Sequence, residues 1–210
     1  MSAYLTVNGE FENTIVIERS KFICSIKGIS DEAEAKAYIE EIRKRYSLAN
    51  HHTYAYIADD KGYIQKFSDN GEPQGTAGLP MLGVLKNRKI FKAVAVVTRF
   101  WGGIKLGAGG LVRAYSGSVA ECLNKSDIKE IVDAFNFVIK CDYDVYARLI
   151  KSEFVVNYTI LKTDFDFQVE MLVTKEKHIA EKFENIVLEL NNLTGGKITI
   201  IREEDSKRAF

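Results

Sequence analysis

The amino-acid sequence predicts an α+β chain built in two parts. Three observations lead there. Strand-like runs alternate with helical stripes along all 210 residues, the order of elements changes character near residue 128, and the balance of charge reverses at the same place. Up to Ile128 there are 17 basic and 14 acidic residues, and beyond it 12 and 15. The expected domains are therefore 1–128 and 129–210, with a hinge at residues 126–132.

In the first half, residues 14–17 and 22–26 are β-rich runs joined by the polar Glu18, Arg19, Ser20 and Lys21, which reads as a hairpin. A helix follows: Asp31 can cap it, with Glu34 at the third position, and Ala35, Tyr38, Ile39, Ile42 and Tyr46 recur on one face. Residues 53–58 and 63–67 form a second strand pair around the turn at Asp59, Asp60, Lys61 and Gly62. The loop SDNGEPQGTAG at 68–78 leads to a short helix near 81–89. Residues 93–97 are wholly apolar, as a strand buried on both faces would be. The loop RFWGGIKLGAGG then precedes a helix whose Leu111, Tyr115, Val119 and Cys122 form one stripe. A sheet covered by helices results, with the irregular chemistry confined to two loops.

The second half has a cleaner order. Phe135, Phe137 and Ile139 alternate in a strand, Tyr146, Leu149, Ile150 and Glu153 lie along a helix, and 155–161 and 165–173 make two strands. A helix carrying Ile179, Phe183, Val187 and Leu190 ends at Gly195 and Gly196, and 197–201 closes the series. This is βαββαβ, the ferredoxin-like split arrangement.

Composition excludes several classes. With 46% hydrophobic and 28% charged residues the chain is an ordinary globular one, and 29 basic residues against 29 acidic ones exclude a uniformly basic nucleic-acid coat or a polybasic membrane anchor. Cys24, Cys122 and Cys141 contain no CxxC pair, which points to a reduced compartment. No run approaches the length needed to span a bilayer, and the first twelve residues lack a targeting pattern, so a cytoplasmic location with no membrane partner is expected.

The unusual segment lies between Glu72 and Glu121, which holds no carboxylate, seven of the basic residues and nine of the 15 glycines. Within it Gly102, Gly103, Gly107, Gly109 and Gly110 stand between a buried strand and a helix start, where backbone amides and a positive dipole end welcome an anion. Arg99, Lys105 and Arg113 supply charge for a phosphate. The alternative is that the glycines serve tight packing and the cations are merely solvated. Gly107 and Gly109 are followed by Val112 where GxGxxG needs glycine, and no GK[ST] follows, so neither a dinucleotide fingerprint nor a Walker loop is present.

Asp69 and Glu72 could act as acid and base or bind a metal through oxygen, or instead cap turns and pair with cations, with Arg99 the candidate partner of Glu72. His51 and His52 are strand neighbours facing opposite sides and cannot chelate one ion, and His178 stands alone in the other half, so no metal, cofactor or catalytic group is assigned. Either His51 or His52 could reach the glycine loops, the alternative being a satisfied strand residue. Phe100 and Trp101 beside the basic loop could stack on bases, whereas Tyr115 belongs to the apolar stripe. The second half has no RNP1 pattern.

The motifs HHTYAY from His51, SDNGEPQGTAGLPML from Ser68 and VAVVTRFWGGIKLGAGGLVRAY from Val94 resemble the IMPACT/YigZ family, also called UPF0029. The first half matches the family's N-terminal domain through most of its length, and the second is similar to the C-terminal domain of bacterial members. The resemblance marks His51, His52, Asp69, Gly71, Glu72, Pro73, Gly75, Thr76 and Gly78 as motif residues. Thr53 departs from it, since some relatives carry cysteine there, and a role for a thiol is thereby removed. The resemblance implies a first domain folded like the second domain of ribosomal protein S5, with the two halves similar in turn to the fourth and fifth domains of elongation factor G. It also implies translation regulation, with RNA, the ribosome or a translation-associated protein as partner. The function expected is thus RNA or ribosome binding through the basic glycine face, the phosphate contacts coming from Arg99, Lys105 and Arg113. An enzyme acting on a phosphorylated small molecule or nucleotide at that site is the second reading, and a protein-interaction module the third.

Overall fold

The computed structural model describes residues 3–177, 182–203 and 205–209. His178 and Ile179 lie outside the described residues. The architecture is α+β, and the chain divides into two compact units, Ser2–Glu130 and Ile131–Phe210.

The first unit opens with β1 (Tyr4–Val7), which bridges to Ile90 through Leu5. β2 (Glu10–Ile17) and β3 (Ser20–Gly28) form the expected hairpin. Its two loop residues, Glu18 and Arg19, have φ of 45° and 64°, as a two-residue turn matched to strand twist requires. α1 (Glu32–Arg45) begins as its sequence predicts, the Asp31 side chain accepting the Glu34 N–H. β4 (His51–Ile57) and β5 (Gln65–Ser68) pair antiparallel, and α2 spans Gly78–Asn87. β6 (Ala93–Phe100) lies between β3 and β4, antiparallel to both, and α3 (Gly107–Lys125) follows.

The sheet order is β2-β3-β6-β4-β5, with the last strand of the unit at its centre. β6 owes that place to its composition. Ala93, Ala95 and Val97 pack with Phe22, Met81, Leu85, Tyr115 and Val119 towards α2 and α3, while Val94 and Val96 pack with Tyr38, Ile42 and Tyr56 towards α1. A strand covered on both faces needs apolar residues at every position. The outer strand β2 instead alternates exposed and half-buried residues.

The second unit has β7 (Ile128–Cys141), α4 (Tyr143–Leu149), α5 (Phe154–Asn157), β8 (Thr159–Phe165), β9 (Val169–Glu176), α6 (Phe183–Thr194), β10 (Ile198–Arg202) and β11 (Ser206–Ala209). β8, β9, β7 and β10 are neighbours in that order, and β11 also pairs with β7. Phe135, Phe137 and Ile139 of β7 share a core with Met171, Val173, Ile186 and Leu190.

The two units divide between Glu130 and Ile131, within the interval 126–132, where residues 128–132 belong to strand β7. Two expectations need correction. The strand expected over 155–161 begins only at Thr159. Before it, the Ser152 hydroxyl accepts the Phe154 N–H and starts a helical turn that stacks Phe154 on Tyr158 at 5.0 Å, leaving Val155 and Val156 exposed. Two valines in a row resemble a strand, but the four-residue spacing of the two aromatics to one core decides for the helix. The second is β11, which has no apolar periodicity to announce it.

Candidate functional site

The two loops picked out by their glycines meet at the ends of β4 and β6. The first is shaped from within: the Asp69 carboxylate accepts the N–H groups of Gly75, Ala77 and Gly78 at 2.8, 3.0 and 2.8 Å, and the Thr76 hydroxyl donates to the Pro73 carbonyl. Asp69 is thereby a structural anchor, and α2 starts where those bonds end. Gly71 turns with φ of 84° against the His51 ring.

Glu72 leaves this loop for the interior. Its Oε1 accepts from Arg99 Nη1 at 2.7 Å and from the Tyr115 hydroxyl at 2.5 Å, and His51 Nε2 stands 4.0 Å away. The side chains of Glu72 and Arg99 are only 4% and 6% exposed, so this is a buried ion pair. Burial first, and the Glu72 carboxylate second, push the Tyr115 phenol far above its usual range, so it stays a donor. Arg99 also reaches the Ser20 hydroxyl at 3.3 Å and lies over the Phe22 ring.

The second loop is pinned to the same residues. Ser20 Oγ accepts the Gly102 N–H at 3.1 Å, Asn50 Oδ1 accepts that of Trp101 at 2.8 Å, and the Trp101 indole N–H donates to the Ile104 carbonyl at 3.3 Å. Gly102 is obligatory, since a Cβ there would lie 2.1 Å from the Arg19 carbonyl carbon. α3 then starts at Gly107 with no side-chain cap, so its first amides are left for another acceptor.

Two hollows flank residues 104–106. One, of about 290 Å³, is lined by Glu72, Pro73, Arg99, Trp101, Lys105, Leu106, Gly107, Ala108 and Leu111. The other, of about 420 Å³, is lined by Ile17, Glu18, Ile104, Lys105, Leu106, Gly110, Arg113 and Ala114. The structure separates the three expected cations. Lys105 and Arg113 are exposed and make no ion pair with a described residue, whereas Arg99 is turned inward to Glu72. Of the two aromatics, Phe100 packs edge-on against Tyr46, and Trp101 remains 53% exposed at the first hollow. Gly103 and Gly109 are exposed.

The histidines part as neighbours on a strand must. His51 Nδ1 donates to the Asn70 carbonyl, while His52 Nδ1 lies 3.2 Å from the Thr98 hydroxyl. Burial, and then the charge of Arg43, hold the His52 imidazole below its usual value. The unfolded chain therefore takes up a proton that the folded one resists, and stability is expected to fall as pH drops from about 7 to 5. His52→Gln should flatten that slope in urea titrations at each pH. Among the described residues no group of three or more His, Cys, Asp or Glu is placed to hold a metal, and no helix is long and apolar enough to cross a membrane.

What sequence reasoning missed is Ser20, which holds both Arg99 and the Gly102 amide from 79 and 82 residues away. A serine in a hairpin turn carries no signal for that. Tyr115 lies in the core as its stripe predicts, but its hydroxyl also closes the Glu72 site.

Comparison with known proteins matches residues 18–123 to the Impact N-terminal domain. The IMPACT family member YvyE of Bacillus subtilis is 41% identical over 201 residues, 95% of this chain and 91% of its own. An IMPACT family member of Haemophilus influenzae is 31% identical over 204 residues, 95% of this chain and 97% of its own. A crystal structure of a hypothetical protein superimposes with a TM-score of 0.62 at 29% identity, covering 97% of this chain and 98% of that one.

Proposed function

The chain belongs to the IMPACT family, and from that premise we propose that it binds RNA or a ribosome-associated component through the basic glycine face of its first unit. One observation carries the reading: Lys105 and Arg113, both exposed and without ion-pair partners among the described residues, stand beside the uncapped start of α3 in a stretch free of carboxylates. Unneutralised cations next to free amides favour a phosphate. Arg99 shapes the site from below instead of touching the partner.

The antiparallel first sheet with its helices is consistent with a domain like the second of ribosomal protein S5, and the order β8-β9-β7-β10 with a ferredoxin-like second domain. The domains would be 1–128 and 129–210, the partner RNA, the ribosome or a translation-associated protein, and the location cytoplasmic. Glu72 favours binding over catalysis. Its Oε1 is engaged by a guanidinium and a phenol, the arrangement of a structural anchor.

Binding to a single-stranded oligoribonucleotide, measured across a range of salt, tests this. Lys105→Glu with Arg113→Glu should weaken binding and flatten the logarithmic salt slope by about 0.7 unit for each phosphate of the single strand no longer neutralised. Reversal of Lys175 and Lys177, already paired with Glu189 and Asp205, should matter less. Equal losses at both places would show nonspecific charge attraction and refute the proposed face.

A further inference from the structure

We propose that the hollow between Trp101 and the start of α3 seats one nucleotide unit, with the base inward against Trp101 and Glu72 and the phosphate outward at Lys105 and the α3 amides. This rests on the phosphate reading above and adds to it the seat for the base.

A phosphate-binding face needs no depth, yet this one has it. The walls are apolar, formed by Pro73, Trp101, Leu106 and Leu111, and the floor is the Glu72–Arg99 pair. Oε1 of Glu72 is taken by Arg99 and Tyr115, while Oε2 accepts no hydrogen bond from any described residue. The carboxylate's charge is balanced by Arg99, so the open oxygen at the bottom offers an acceptor and calls for an N–H donor. At the rim, Lys105 and the helix start call for an anion. A ligand with a flat apolar face, N–H donors on its edge and a phosphate at its other end meets all three demands. That is a nucleotide, whether free or one unit of a single-stranded RNA.

Trp101 is suited to the stacking. It is held at both ends, by Asn50 through its backbone amide and by Ile104 through the indole N–H, while its ring remains half exposed. Little freedom is lost when a base lies on it. An arginine side chain from a partner protein would suit Trp101 and Glu72 as well, but it would have to pass Lys105 and the positive helix end, which disfavours it.

Trp101 is the only tryptophan of the chain, so its fluorescence reports on this hollow alone. The four ribonucleoside 5′-monophosphates and a single-stranded oligoribonucleotide should quench it saturably, while inorganic phosphate binds about tenfold more weakly or less. By calorimetry, Trp101→Leu should weaken nucleotide binding about fivefold or more and leave phosphate binding unchanged, with Trp101→Phe recovering most of the loss. An oligonucleotide much tighter than the mononucleotides assigns the site to a strand, and equal affinities assign it to free nucleotide. Equal binding of phosphate and nucleotide, or no effect of Trp101→Leu, overturns the base seat while the anion reading survives. Loss with Trp101→Leu but none with Lys105→Glu refutes the outward phosphate, and with it the reading beneath. No binding of any probe overturns both.

Discussion

Glu72→Gln is expected to lower the unfolding free energy by about 3–5 kcal/mol, because it strands the Arg99 guanidinium in the interior. Urea unfolding followed by Trp101 fluorescence reads this directly, since that residue stands on the same site. The distinguishing measurement is the double variant. With Arg99→Met added, the uncompensated charge is gone, and the pair of substitutions should cost clearly less than the two single costs added together. A loss under about 1 kcal/mol for Glu72→Gln would mean that the pair behaves as if solvent-screened, contrary to its burial. The fraction that remains folded should still bind phosphate, because Lys105 and Arg113 are untouched. An enzyme using Glu72 as acid or base would instead lose turnover at unchanged stability.

Gly102→Ala is expected to cost about 3 kcal/mol or more, the upper range for forcing atoms into a filled interior. The added Cβ would lie 2.1, 2.2 and 2.4 Å from the Arg19 carbonyl carbon, its oxygen and the Ser20 nitrogen. All are backbone atoms of a tight turn, which cannot swing aside as a side chain would. Gly103→Ala is the control: nothing stands within 4 Å of that Cβ, and only its φ of 86° is unfavourable. It should cost about 1–2 kcal/mol by strain alone. Similar losses in the two variants, measured by thermal unfolding, would refute the close approach of the loop to the hairpin.

Where local patterns suffice, the architecture could be read in advance. The apolar run at 93–97, the Asp31 cap and the polar link at 18–21 each state a local preference that the fold keeps. The Glu72–Arg99 pair is also legible, as the ordinary pairing of a loop carboxylate with a nearby cation, although the sequence assigns Arg99 to phosphate as well. The remainder depends on residues far apart in sequence. Tyr115 meets Glu72 across 43 positions, and Ser20 meets Gly102 across 82, with no periodicity to betray either. At 154–157 the local preference of two valines is overruled by the core, which takes Phe154 and Tyr158 from one helical turn.

The position of β6 also bears on how the first unit assembles. Its outer strands belong to two local pairs, β2 with β3 and β4 with β5, each joined by a short connection and able to form soon after synthesis. Neither pair touches the other in the sheet, because β6 separates them, and β6 comes last of the five in the chain. Both apolar faces of the sheet thus stay incomplete until Ala93–Phe100 has been made and inserted. Such late, long-range closure makes folding slow relative to helical proteins of similar size, and leaves two unfinished hairpins exposed to other chains until it occurs.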